Sequence, residues 1–157
     1  MSFRLTLILP RERARLAAAL TRYYSEIAPD LRIDPSERAG QMLHRKDVTA
    51  FWIRQEEDRI GFAIVLNLPD DRRELSEFAI DPAYRRQGHG HAAASLIFAE
   101  FPGYWRMGIS AGSPNAVAFW GTCLSAIKGV EQLRDGAPFT EHQVKSYSFY
   151  IAGDQND

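Results

Sequence analysis

Glu77-Phe78-Ala79-Ile80-Asp81-Pro82-Ala83-Tyr84-Arg85-Arg86-Gln87-Gly88-His89-Gly90 is the stretch on which the fold turns. It opens as the end of an apolar strand, Glu74–Ile80, which Asp81-Pro82 stops. A basic and then glycine-rich loop follows. The helix after it, Gly90–Phe101, carries Ala93, Ala94, Ile97 and Phe101 on one face. Glycines at a helix start permit close backbone approach and unusual φ values. The unpaired N–H groups of a first helical turn, with the dipole behind them, favour bound phosphate. Arg85 and Arg86 add charge beside them. On physical grounds alone the segment is a cradle for phosphate or pyrophosphate.

On either side of this segment, strands and helices alternate. Phe3–Leu9 is an apolar run that Pro10 ends, so it reads as a strand. Arg11–Ala28 spaces Leu16, Ala19, Leu20, Tyr23 and Ile27 as an amphipathic helix. Asp34 as N-cap and Pro35 at the first position start a second helix reaching Leu43. Thr49–Arg54 and Ile60–Leu66 are aromatic and β-branched, with Glu56-Glu57-Asp58 as a hairpin turn between them. Leu68–Arg73 reads as a polar loop. Tyr104–Ser110 is a strand after the Pro102-Gly103 break. Ser113-Pro114 predicts the N-cap and first residue of a helix through at least Trp120, ending at Gly121 or running on to Gly129. Val130–Arg134 and Tyr147–Ile151 are late strands. The order β-α-α-β-β-β-α-β-α-β-β predicts one α/β (α+β) domain over residues 1–157, a mixed, mostly antiparallel sheet flanked by helices.

Composition narrows the partners. The 157 residues carry 19 basic and 20 acidic side chains, a net charge of −1. The modest basic excess of the first fifty residues is a weak footing for nucleic acid, and none is expected. Apolar residues make up 45% of the chain, enough for a packed core. The longest apolar run, Phe62–Leu66, falls far short of the roughly 20 residues of a membrane span. The lone Cys123 forms no internal disulfide and reads as a buried helix residue. No membrane partner and a cytoplasmic location are expected.

The pattern Arg85-x-x-Gly88-x-Gly90 resembles the Arg/Gln-x-x-Gly-x-Gly/Ala signature of the GNAT superfamily of acyl-CoA-dependent N-acyltransferases. Its setting, after a strand and opening a helix, is similar too. Ser113-Pro114-Asn115-Ala116-Val117-Ala118-Phe119-Trp120 resembles the family's second signature, Asn-x-x-Ala-x-x-aromatic. The strand order is that of the family across nearly the whole chain. The resemblance implies an N-acetyltransferase that moves an acetyl group from acetyl-CoA to a primary amine by direct transfer in a ternary complex. It implies that Phe78, Ala79 and Ile80 pair their backbone with the pantetheine arm. The N–H groups from Arg86 to His91 (Arg86, Gln87, Gly88, His89, Gly90, His91) would hold the pyrophosphate, with Arg85 beside them. Strands Glu74–Ile80 and Tyr104–Ser110 would splay to admit the arm. Ser113, Asn115, Phe119 and Trp120 would complete the cofactor site.

An attacking amine must be neutral, and a lysine-like amine starts with a pKa near ~10.4. A carboxylate can take its proton, and a donor must polarise the thioester carbonyl. Glu77, where many family members carry a carboxylate, is the first candidate for the base; Glu74 is the second. Their odd separation puts them on opposite faces of the strand unless a bulge intervenes. Two residues depart from the family pattern. Ser113 stands where Asn is usual, and Trp120 where a Tyr often serves as general acid. An indole supplies no useful proton, so Trp120 is expected to pack against cofactor or core. Water or Tyr84, Tyr104 or Tyr147 is left as the acid. The first two helices of the family wall the acceptor pocket, which makes Tyr23, Tyr24 and Glu26 candidate substrate contacts. Trp52 is expected in the core. Peptide N-termini, lysines, polyamines, aminoglycosides and small metabolites are all open as acceptors. Longer acyl groups stay open, and so does a homodimer, for which exchange of Tyr147–Ile151 is one route.

Other patterns carry less. Gly88-x-Gly90-x-x-Ala93 fits a dinucleotide fingerprint, but six residues separate it from Asp81 and no acid follows at the required distance. Gly108-Ile109-Ser110-Ala111-Gly112 matches a nucleophile elbow, with Asp135 and His142 following in hydrolase order. Too little chain follows for the usual βαβ units, so a Ser110-Asp135-His142 hydrolase ranks low. His89-x-His91 lacks a third ligand, and no metal is expected. A non-catalytic acyl-CoA sensor is the remaining alternative, kept open by Trp120.

Overall fold

The computed structural model describes residues 2–113 and 115–153. Strands β1 (Phe3–Leu7), β2 (Val48–Gln55), β3 (Asp58–Leu68), β4 (Arg72–Ile80), β5 (Gly103–Ser110), β6 (Val130–Gly136) and β7 (Gln143–Ile151) form one seven-stranded sheet ordered β1-β2-β3-β4-β5-β7-β6. Helices α1 (Arg13–Ile27) and α2 (Pro35–His44) precede β2, while α3 (His89–Glu100) and α4 (Ala116–Ala126) flank β5. The element order is the one expected from the sequence. All strand pairs are antiparallel except β4 and β5.

Each face of the sheet has its own core. On one, α1 and α2 pack Leu16, Leu20, Ala39 and Met42 over Ala50, Trp52, Phe62 and Ile64. On the other, α3 and α4 pack Ala93, Ile97, Phe98, Trp120 and Leu124 over Phe51, Val65, Leu75, Met107 and Phe149. The alternation of neighbours such as Phe51 and Trp52 between the cores is the two-residue period of a sheet covered on both sides. Trp52 is 1% exposed and donates its indole N–H to Glu12 at 3.1 Å. Cys123 is buried, which lifts its thiol pKa to about 11.

Several boundaries differ from expectation, for local reasons. β1 stops at Leu7 because Pro10–Glu12 forms a short 3-10 turn, and Glu12 accepts from the Leu9 N–H at 3.0 Å. The helical stretch expected from Arg11 therefore becomes α-helical only at Arg13. The Asp34 cap is present as expected, accepting from Ser36 and Glu37. β4 begins two residues early, at Arg72, and shortens the expected loop to a turn through Asp70 and Asp71 at positive φ. α4 starts at Ala116 with Asn115 as N-cap, so Ser113 is not its cap; Pro114 lies outside the described residues. The helix passes Gly121 and ends at Ala126.

The parallel pairing of β4 with β5 is brief. Arg72, Arg73 and Glu74 oppose Tyr104, Trp105 and Arg106, and no further pairs follow among the described residues. Beyond Glu74 the strands diverge. Leu75, Ser76 and Phe78 face Met107–Ser110 across a gap that Tyr23, Ser113, Ala116 and Trp120 also line.

Candidate active site

The loop from Asp81 to Gly88 carries the chain from β4 into α3. Pro82–Tyr84 makes a single 3-10 turn. Arg86 then takes φ +63° and Gly88, the N-cap of α3, takes φ +79°. Two left-handed residues flanking one ordinary residue curl the backbone into a concave nest of N–H groups. Tyr84 and Arg85 donate their N–H groups to Asp81 and Pro82, and bonding resumes only at Ala92, which donates to Gly88 at 3.2 Å. The N–H groups of Arg86 through His91 have no acceptor among the described residues. A Cβ at Gly88 would meet nothing within 4 Å, so space lies open before them. This donor set, at the dipole's positive end, fits a pyrophosphate.

The side chains of the segment are placed less simply. Arg85 was expected beside the phosphates. It instead forms a double ion pair with Glu26 at the end of α1, at 2.7 and 2.9 Å, and its Nε donates to the Ile80 carbonyl at 2.8 Å. Its charge is spent on Glu26, whose carboxyl it holds below the ordinary carboxylate range. Glu26 is thereby a loop anchor and not a free acceptor contact. His89 was expected in the pyrophosphate cradle. Its ring is 3% exposed, packs 5.3 Å from Phe3, and meets Gln87 at 3.2 Å through Nε2. Only its backbone N–H belongs to the cradle. Arg86, Gln87 and His91 are exposed, as a surface cradle requires.

A second correction concerns the strand. Asp81 donates its N–H to Ile60 at 2.7 Å, and Ile80 lies opposite Gly61. In an antiparallel ladder bonded and non-bonded pairs alternate. Ala79 therefore bonds Phe62 across β3, so its backbone is not available to a ligand arm. Phe78 and Ile80 turn their backbone groups toward the gap, with the Ile80 carbonyl already accepting from Arg85.

β4 carries a bulge. Leu75 lies opposite Val65, but Glu77 lies opposite Ile64, leaving Ser76 extruded. The extra residue resets the alternation. Leu75 joins the α3/α4 core, and Glu77 turns to the α1/α2 face that Glu74 also shares. The two candidate carboxylates thus stand on one face. Glu77 is 8% exposed and accepts from the Tyr24 hydroxyl at 3.2 Å, with an Arg38 guanidinium nitrogen at 3.9 Å. Burial raises its pKa; hydrogen bonds from Tyr23 and Tyr24 and the Arg38 charge oppose the rise, and Glu74 adds to it. Glu74 itself is engaged by Arg106 at 2.7 Å. Burial and the neighbouring Glu77 push the Tyr23 and Tyr24 phenols well above their ordinary range, so both remain proton donors. Tyr23 and Tyr24 accordingly serve as partners of Glu77, and Tyr23 also lines the gap.

The second motif is partly assembled. Phe119 stands over Gly90, where a Cβ would lie 2.9 Å from its Cζ. Trp120 is buried against Phe78 at 5.1 Å and Phe98 at 6.5 Å, and borders the gap with Ser113. Asn115 is exposed and does not line the gap. Of the tyrosines left open as acid, Tyr104 is exposed beside Tyr150, Tyr84 leans toward His89, and Tyr147 is buried with its hydroxyl 3.4 Å from the Val117 carbonyl. None lines the gap.

The hydrolase constellation is not assembled. Ser110 Oγ bonds Ile27 O and Gly112 N, Asp135 pairs with Lys145, and His142 pairs with Glu141. Residues Ala111 to Asn115 also intervene before α4, where an elbow needs a helix at once. Among the described residues no cluster of three metal-binding side chains occurs, and no helix is long and apolar enough to cross a membrane.

Arg38 and Ser76 were not anticipated from sequence. The signal for a partner was a glutamate inside an otherwise apolar strand, which demands a donor when buried. Nothing in the residue pattern marks the bulge.

Known proteins share this architecture. An acetyltransferase from Thermus thermophilus superposes with a TM-score of 0.72 at 17% identity, covering 96% of this chain and 98% of its own. Diaminobutyrate acetyltransferase from Paenibacillus lautus, solved with its substrate and coenzyme A, gives 0.67 at 15%, covering 99% and 98%. An N-acetyltransferase from Thermoplasma acidophilum, in complex with coenzyme A, gives 0.64 at 12%, covering 96% and 100%. Among curated protein sequences nothing matches. The profile described as Acetyltransferase (GNAT) family matches residues 14–121, which span the cradle, the bulged strand and the second motif, and the chain belongs to that family.

Proposed function

We propose that this protein transfers an acetyl group from acetyl-CoA to a primary amine by direct attack within a ternary complex. The observation that carries the reading is the unbroken run of unpaired N–H groups from Arg86 to His91, opening at the end of a gap between β4 and β5. Bound acetyl-CoA would supply an activated thioester in that gap. The chain's own groups would do the rest. The cradle holds the pyrophosphate through backbone donors, at Gly88 with no side chain in the way. Phe78 offers backbone groups along the gap, and Trp120 and Phe78 give it apolar walls.

Glu77 is the general base in this reading. Its raised pKa makes it a better proton acceptor than an ordinary carboxylate, and its ionised form is the one that takes the amine's proton. Tyr24 and Arg38 fix its orientation. Glu74, neutralised by Arg106, is the weaker candidate. Tyr23 is the only phenol among the described residues that line the gap, but burial and its hydrogen bond to Glu77 make it a poor acid, which leaves water to protonate the departing thiolate.

Calorimetric titration with acetyl-CoA, using Gly88→Glu as control, tests the cradle. Binding lost in the variant supports it, and absence of binding by the folded wild type overturns it. Thiol release across a panel of amines then separates a transferase from a non-catalytic binder. Binding without release from any amine would favour the binder.

A further inference from the structure

The gap has a closed end. β4 and β5 separate from Leu75 to Ile80, a span of about 20 Å at ~3.3 Å per residue, and rejoin at Glu74 and Arg106. The cradle sits at the open end, so an arm laid along the gap points its reacting tip toward Glu74 and Arg106. On the face that holds Glu77, α1 and α2 cover β2, β3 and the Glu77–Ala79 end of β4, and their core takes nothing from β5, β6 or β7. The other half of that face is unroofed and leaves Tyr104 53% exposed.

A cavity of about 270 Å³ lies there, and its lining includes Arg72, Tyr104, Arg106, Arg134 and Ser148. Glu74, Arg106, Ser148 and Arg134 stand opposite one another in a single row across β4, β5, β7 and β6. Arg72 and Tyr104 form the next row. Arg106 gives Nε to Glu74 and stacks beneath Phe139 at 4.9 Å, leaving its outer nitrogens without a partner among the described residues. The Arg72 side chain uses only Nε, on Pro69 O, and the Arg134 side chain has no hydrogen bond or ion pair among the described residues. Arg73 turns away, onto Phe101 at 4.7 Å and Asn67. The nearby acids are Glu74, already paired, Glu131 opposite Tyr150, Asp70 and Asp71 in the β3–β4 turn, and Asp135, paired with Lys145.

We infer that the acceptor is a small amine whose far end carries an oxyanion, a carboxylate or a phosphate, held by Arg72, Arg106 and Arg134 while its amine reaches Glu77. This deepens the acetyltransferase reading and rests on it. Guanidinium forks match both oxyanions through paired N–H donors. A polyamine would meet those cations head-on and is disfavoured. Arg106 bonded to Glu74 places the anion subsite one side chain away from the carboxylates at the reacting end.

The test is equilibrium binding to the wild-type protein saturated with coenzyme A. The probes are γ-aminobutyrate, its amide, O-phosphoethanolamine and putrescine, titrated by calorimetry. The two anionic amines are expected to bind about tenfold or more tightly than the amide and putrescine, and the tighter of the two identifies the oxyanion. The advantage is expected to fall toward one in the Arg72→Gln/Arg134→Gln variant, whose fold circular dichroism verifies, and to shrink with added salt. Equal binding of all four probes, no binding of any, or an advantage unchanged in the variant overturns the anion subsite and leaves the coenzyme reading standing. No binding of coenzyme A itself overturns both.

Discussion

Tyr24 donates its hydroxyl to Glu77 Oε1 across 3.2 Å, so α1 holds the carboxylate that the β4 bulge turns toward it. Without Ser76 as the extra residue, Glu77 would share a face with Leu75 and point into the apolar core under α3. The proposed base thus depends on one inserted residue and one phenol.

Glu77→Gln preserves shape and an acceptor for Tyr24 but removes the base. It is expected to lower kcat about 10²-fold or more. The acid limb of the wild-type rate profile should lie above the ordinary carboxylate value of 4.5 and be absent from the variant's residual activity. Steady-state kinetics across pH checks both; a limb that survives in Glu77→Gln assigns it to another group.

The same substitution carries a stability signature of defined sign. The native pKa of Glu77 is raised, so the native state holds that proton more tightly than the unfolded chain. The resulting stabilisation is full below the unfolded pKa and is lost as pH rises through the native one. Glutamine never ionises. The Tm of Glu77→Gln relative to wild type is therefore expected to climb from acid to neutral pH. Thermal melts at several pH values decide it, and a constant offset would contradict the buried, destabilised carboxylate.

Arg85 and Glu26 are both partly exposed, so their pair adds at most about 1 kcal/mol to stability. Its work is to fasten the loop. Arg85→Ala is expected to weaken acetyl-CoA binding several-fold with little change in Tm, and Arg85→Lys to recover little of it, since lysine cannot bond Glu26 twice and Ile80 besides. Calorimetry beside thermal melts separates the two effects.

The two glycines of the signature should fail differently. Gly88→Ala meets open space but forces an alanine to φ +79°, at a cost of about 1 kcal/mol. Gly90→Ala pushes a methyl against the far end of the partly exposed Phe119 ring, which can swing aside, so its cost is expected to stay under about 1 kcal/mol. A second change, Phe119→Leu, is expected to rescue Gly90→Ala and not Gly88→Ala. Denaturant unfolding of the single and double variants gives the coupling.

Trp120 is packed among Phe78, Phe98 and Phe119, and Trp120→Ala is expected to cost ~3–5 kcal/mol. A loss under about 1 kcal/mol in urea unfolding would show that the indole is not part of the core.

The fold was legible because its signals are local. Asp34-Pro35 caps a helix, Glu56-Glu57 turns a hairpin, and Gly88 and Gly90 open α3, each through chemistry contained within a few residues. The cradle was legible for the same reason, being made of backbone. Side chains of the site were harder to place. Arg85 reads as a phosphate ligand until Glu26, distant in sequence, is seen beside it. His89 reads as a cradle residue like its neighbours until Phe3 closes over its ring. Ala79 falls outside the gap by ladder parity, and Glu77 joins Glu74 by a parity break at Ser76. Those facts depend on register and long-range packing, which residue types do not encode one at a time.

Among the described residues, Arg72, Arg73 and Glu74 alone stitch β4 to β5. Mechanically the sheet is two plates, β1 to β4 and β5 to β6, welded at one corner and parted along a slit. Parallel rungs are slightly weaker than antiparallel ones, so the weld is also the softest joint between plates. An arm laid in the slit would bond both edges and act as a splint. The stiffness of the whole sheet would then follow occupancy, with amide exchange at Met107–Ser110 slowing as the slit fills.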